Sequence, residues 1–166
     1  MRLSNRLLLA AISGMMLAVP AAAQRADNQL SPESIALYQQ GQQLLSAGKF
    51  DDAADALETA LAADPRNRAA FVSLARVAQK QRLFGKSIRL TNKALALEPN
   101  DLDAIEVQGE AMVELGAAAR AQANLAKLQK LCGNSCKQVA SLSSAISKGP
   151  TVAVAATPKL PAGKSN

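Results

Sequence analysis

A fixed spacing of 34 residues governs this chain. Leu37, Phe71 and Ile105 share one phase of it, and Gly41, Ala75 and Gly109 a second. Ala53, Ser87 and Ala121 share a third, and Leu57, Thr91 and Leu125 a fourth. Pro65 and Pro99 close the first two units, and Gly133 stands where a third Pro would fall. One register held through three copies means that each unit is a helix pair unable to bury its apolar face alone, so that neighbours must stack.

Within each unit the apolar residues recur at helical intervals. Ser31-Pro32-Glu33 reads as a helix start: a hydroxyl N-cap, Pro at the first turn and an acid near the positive helix end. This first helix carries Ile35, Leu37, Tyr38, Gly41, Leu44 and Leu45 and ends at Ala47-Gly48. The second runs from Phe50 to Ala63, where Asp64-Pro65 stops it, because the residue before a Pro is driven out of helical geometry. Residues 68–81 and 84–97 repeat the pair, then 102–115 and 118–131. A seventh helix is expected over 136–148, with Val139, Leu142 and Ile146 on one stripe, as a cap over the exposed end of the array. Small residues at Gly41, Ala53, Ala60, Ala75, Ala94 and Gly109 would let helix axes approach to roughly 8–10 Å.

Both ends differ in composition. Residues 1–23 combine a basic start at Arg2 and Arg6, an apolar run from Leu7 to Val19, and Ala21-Ala22-Ala23 before Gln24. That is the pattern of a cleaved signal peptide of the Sec type. Its apolar run is shorter than the roughly 20 residues a membrane span needs. The expectation is an exported chain, placed in the periplasm, with no membrane span after cleavage. A short linker (24–33) leads into the array, and a basic tail without acids (149–166) follows it and is expected to be disordered.

These residues resemble the tetratricopeptide repeat family, whose unit is two antiparallel helices in 34 residues. The family pattern W-x2-L-G-x2-Y…A-x3-F…P maps onto Leu37, Gln40, Gly41, Leu44, Ala53, Leu57 and Pro65. In the second unit it maps onto Phe71, Leu74, Ala75, Ala78, Ser87, Thr91 and Pro99. In the third it maps onto Ile105, Gln108, Gly109, Met112, Ala121 and Leu125. The large aromatics of the family pattern are missing, and unit three lacks its Pro. The resemblance implies an all-α solenoid: repeats at 34–67, 68–101 and a degenerate 102–135, then a capping helix at 136–148.

The resemblance also implies where a partner would bind, since the first helix of each pair lines a concave groove in this family. Carried over, the groove residues are Tyr38, Gln42, Val72, Arg76, Lys80, Glu106 and Glu110. An apolar and aromatic wall, a cationic middle and an anionic end would suit an extended peptide of mixed charge. The competing account is that these charges are solvated faces that pair across adjacent units. The cationic clamp with which some family members hold an acidic C-terminal tail is not matched, because Glu106 and Glu110 stand where its basic residues are needed.

Catalysis finds little support. The chain has no His, which removes the commonest general base and metal ligand together. No GxSxG or Gly-rich phosphate loop is present. Asp51, Asp52 and Asp55 lie at a helix N-terminus, where they complement the macrodipole. No enzyme activity, cofactor, metal or small-molecule substrate is expected. Without Arg2 and Arg6 the chain holds 17 basic and 13 acidic residues, a net +4 that makes a weak case for nucleic acid. Cys132 and Cys136 are the only cysteines. In an exported protein the default is a disulfide, here pinning the cap to the last repeat. The alternative is a thiol-disulfide protein acting through this pair, against which stand the non-CxxC spacing and the lack of His.

Overall fold

A computed structural model describes residues 29–151. The expected signal peptide, the first half of the linker (24–28) and the tail beyond Thr151 lie outside the described residues. Among those described, seven α-helices and no strands are found: α1 (Pro32–Ser46), α2 (Phe50–Ala63), α3 (Arg68–Lys80), α4 (Phe84–Leu97), α5 (Leu102–Glu114), α6 (Ala118–Cys132) and α7 (Lys137–Lys148). The fold is the all-α solenoid that the period demands.

Local chemistry sets the boundaries. Asp64 and Glu98, each preceding a Pro, leave the helix for extended backbone at φ/ψ of −152°/104° and −139°/97°. Asn67 and Asp101, 34 residues apart, cap α3 and α5 by accepting from the N–H of Ala70 and Ala104. Ser31 departs from its expected role. It occupies the N-cap of α1, but its hydroxyl makes no cap bond, and its own N–H instead donates to Asp64 Oδ2 at 2.9 Å. The turn inside each pair needs a left-handed residue, found at Gly48 (φ 73°), Arg82 (φ 63°) and Gly116 (φ 71°). These three positions are also 34 apart, and Arg82 alone carries a side chain there.

The helices form two layers. The odd-numbered helices contact one another in succession (α1 with α3, α3 with α5, α5 with α7), while α2, α4 and α6 touch only inner helices. The main core fills the space between α1 and α5, around Leu57, Leu74, Val77 and Val107, with Phe71 packed on its edge. A second cluster joins Ile105 and Leu128 to Val139 and Leu142 of α7, with Cys132 and Cys136 packed against it. The expected cap is therefore a fourth inner helix, with no outer mate among the described residues.

The two repeat-related glycines serve different neighbours. A Cβ on Gly41 would lie 2.6 Å from Leu57 Cγ in the same repeat, whereas one on Gly109 would lie 2.6 Å from Leu142 Cδ2 in α7. Gly109 is the contact through which the last repeat accepts the seventh helix.

Candidate binding groove

The inner layer positions the predicted groove residues because successive turns of α1, α3 and α5 bring the same face forward. Tyr38, Gln42, Val72 and Arg76 converge on a cleft of about 240 Å³, completed by Arg68, Ala69, Ser73 and Asp103. Gln42 donates to the Tyr38 hydroxyl one helical turn away. Val72 is 5% exposed and lies at the bottom of the cleft rather than standing up as a wall. Farther along the same layer, Lys80 and Glu110 line a second cleft of about 290 Å³, with Gln79, Arg82, Phe84, Glu114, Ala145 and Thr151.

Electrostatic pairing across repeats alters the expected charge pattern. Arg76 Nη2 lies 3.1 Å from Glu106 Oε2 and 3.7 Å from Asp103 Oδ1. Glu106 is 7% exposed, so its carboxylate belongs to this pair and is not displayed as the anionic end of a groove. Arg68 pairs with Asp101, Lys86 with Glu58, and Lys93 lies over the Phe71 ring at 5.6 Å. Arg66 is held by Asp64 and also donates to the Gln29 carbonyl. Much of the block from Arg66 to Lys93 is thus engaged with acids or rings of its own or a neighbouring unit, which weakens its claim as a nucleic-acid surface. Lys80 is exposed, with no ion pair among the described residues.

The Asp64 carboxylate has a displaced pKa. The Arg66 side chain, the Ser31 N–H and the Arg66 N–H all bond its charged form and hold it well below the usual carboxylate range, against a smaller opposing effect of burial. It stitches α1 to the end of α2, away from the clefts.

Glu110 accepts from the Ser141 hydroxyl of α7 at 2.8 Å, and Gln79 donates to the Val107 carbonyl at 2.8 Å. Both therefore brace the wall they line. Arg82 lies in the turn between α3 and α4 and Phe84 opens α4, so neither falls on the inward face that the repeat period marks, and Ala145 and Thr151 belong to the cap and the chain after it. The recurrence of Gly48 and Gly116 around Arg82 was the available signal for the first of these. Cys132 and Cys136 are placed away from both clefts, at the α6–α7 junction, with their Cα atoms 6.0 Å apart. No group of three or more His, Cys, Asp or Glu residues suited to a metal is found among the described residues. None of the described helices is long and apolar enough to cross a membrane.

Comparison with known proteins agrees with this architecture. The tetratricopeptide repeat family model matches residues 44–104. Solved structures of such domains superpose along the array. The first TPR of Spaghetti (RPAP3), bound to the HSP90 peptide SRMEEVD, aligns with a TM-score of 0.66 at 23% identity, over 74% of this chain and 97% of its own. The array has the fold of a tetratricopeptide repeat domain. The TPR2B domain of yeast Sti1, in a pHsp70 complex, aligns with a TM-score of 0.64 at 19% identity, over 71% of this chain and 98% of its own. The Yersinia enterocolitica type III secretion chaperone SycD, in complex with a peptide of the translocator YopD, gives 0.62 at 19%, over 71% and 89%. Among curated proteins no sequence matches the chain.

Proposed function

We propose that this tetratricopeptide repeat protein is an exported adaptor that holds an extended segment of a partner protein noncovalently across its inner face. The observation carrying this reading is the convergence of Tyr38, Gln42, Val72 and Arg76, from two successive inner helices, on one cleft. The line continues to Lys80 and Glu110 in the second cleft. The similar domains of RPAP3, Sti1 and SycD are each seen with a peptide or chaperone ligand. That supports the same use of this face, though with a different ligand chemistry, since Glu110 and the Arg76–Glu106 pair replace a cationic clamp. Residues 1–23 support placement in the periplasm, and an envelope role in secretion, pilus assembly or outer-membrane assembly fits such an address. The protein acts by binding and not by catalysis.

The test reverses charge where it leaves the fold alone. Arg76 is a poor choice, because its replacement by Glu would strand the buried Glu106 beside a like charge. Lys80→Glu combined with Gln42→Ala changes two exposed inner-face residues. Crosslinking of the mature chain in its own compartment should capture a defined partner with the wild type and lose most of it with the double variant. Equal capture by both would refute the groove reading.

The cysteine pair is read as a structural bridge. Both residues are half-buried and packed on the cluster of Ile105, Leu128, Val139 and Leu142, where a bridge closes the junction between α6 and α7. Thiol trapping tests this: an inert pair agrees, and a readily exchanged one favours the thiol-disulfide alternative.

A further inference from the structure

The described chain ends tied to its own inner face. The Thr151 N–H donates to Glu114 Oε2 at 3.0 Å, and the Thr151 hydroxyl donates to the same oxygen at 2.7 Å. Glu114 is the last residue of α5, so these bonds hold the chain leaving α7 against the end of the adjacent inner helix. Thr151 itself lines the second cleft, beside Ala145 and Phe84. The residues that follow, VAVAATPKLPAGKSN, contain no acid.

We propose that residues 152–166 lie along the groove in cis, occupying the clefts until a partner segment displaces them. This rests on the reading of the groove as a seat for extended peptide, and it names the first occupant of that seat. Length permits it. An extended chain advances about 3.3 Å per residue, so the 15 residues after Thr151 reach roughly 50 Å. Neighbouring helices pack about 8–10 Å apart, so the path from α5 to α1 needs only about 20 Å.

Sequence order matches the order of the clefts. Val152 to Pro158 carry no charge and begin beside Phe84 and Ala145, in a cleft whose Lys80 and Arg82 are already balanced by Glu110 and Glu114. The first cation, Lys159, comes far enough along to meet Asp103, whose Oδ1 accepts from Gln138 and lies by Arg76 but whose side chain is still 46% exposed at the first cleft. Pro158 and Pro161 favour extended backbone, which lowers the entropy lost on docking. Tethering makes the segment an intramolecular competitor at an effective concentration in the millimolar range, so even weak contacts can fill the site.

Amide NMR spectra of the mature full chain and of a chain ending at Thr151 test this. The resonances of Lys80, Glu110 and Ala145 should differ between the two, independent of protein concentration. A synthetic peptide of residues 152–166 added to the shorter chain should move them to their full-chain positions. Identical resonances in the two chains would overturn the proposal. Differences that grow with protein concentration would overturn it too, because they assign the segment to the groove of a second copy. Loss of partner capture on Lys80→Glu/Gln42→Ala is a separate readout, so the groove reading can stand if the tail proposal falls.

Discussion

Arg82 holds a left-handed backbone that its repeat equivalents assign to Gly48 and Gly116. A side chain there costs roughly 1–2 kcal/mol relative to glycine, which adopts such angles freely. Arg82→Gly should therefore raise stability by about 1 kcal/mol in chemical denaturation. Gly109 runs the other way. Alanine normally gains up to about 1 kcal/mol over glycine inside a helix, but here the new methyl would lie 2.6 Å from a fully buried Leu142. Overpacking of this kind costs about 1–3 kcal/mol, so Gly109→Ala should be net destabilising. Asp64 gives a pH signature. Its folded pKa is depressed, so its contribution is complete above the ordinary carboxylate value of about 4 and is lost as pH falls below it. Thermal melts of wild type and Asp64→Asn should differ at neutral pH and converge as the pH is lowered past 4. A constant gap would contradict the assignment.

At the scale of elements, α7 shows most clearly what could be read in advance. Its existence followed from Val139, Leu142 and Ile146 at helical spacing, and its docking on the last repeat from the solenoid's need to cover an exposed apolar face. Its status as a fourth inner helix did not follow, because that depends on Leu142 meeting Gly109, a contact between residues 33 apart with no local sequence signal. The six repeat helices were legible almost to the residue, since a 34-residue register fixes turn, breaker and core together. The groove was legible only in outline. Periodicity says which residues face inward, but the pairing of Arg76 with Glu106 and the engagement of Glu110 with Ser141 are choices made between elements. Leu142→Ala should cost about 2–5 kcal/mol, the range for a fully buried leucine, and should expose the surface around Ile105 and Leu128. Replacing both Cys132 and Cys136 by Ser should cost about 2 kcal/mol or less, because a bridge closing so short a loop restrains little chain entropy.

Across the described residues, the acids of the second half gather on one helix. The inner helix α5 carries Asp103, Glu106, Glu110 and Glu114, while α4, α6 and α7 carry only cations. Lys86 and Lys93 of α4 and Lys127 of α6 are turned to structural partners at Glu58, the Phe71 ring and the Pro99 carbonyl. The inner face is where the exposed groove residues Gln42 and Lys80 and the two clefts described above coincide. Site-specific photo-crosslinking in the native compartment tests that claim most directly, with the photoreactive residue placed at Gln42 or Lys80 on the inner layer and at Arg89 on the outer. The groove account predicts one discrete adduct from both inner positions and none from Arg89. An adduct formed equally well from Arg89, or only from there, would contradict it.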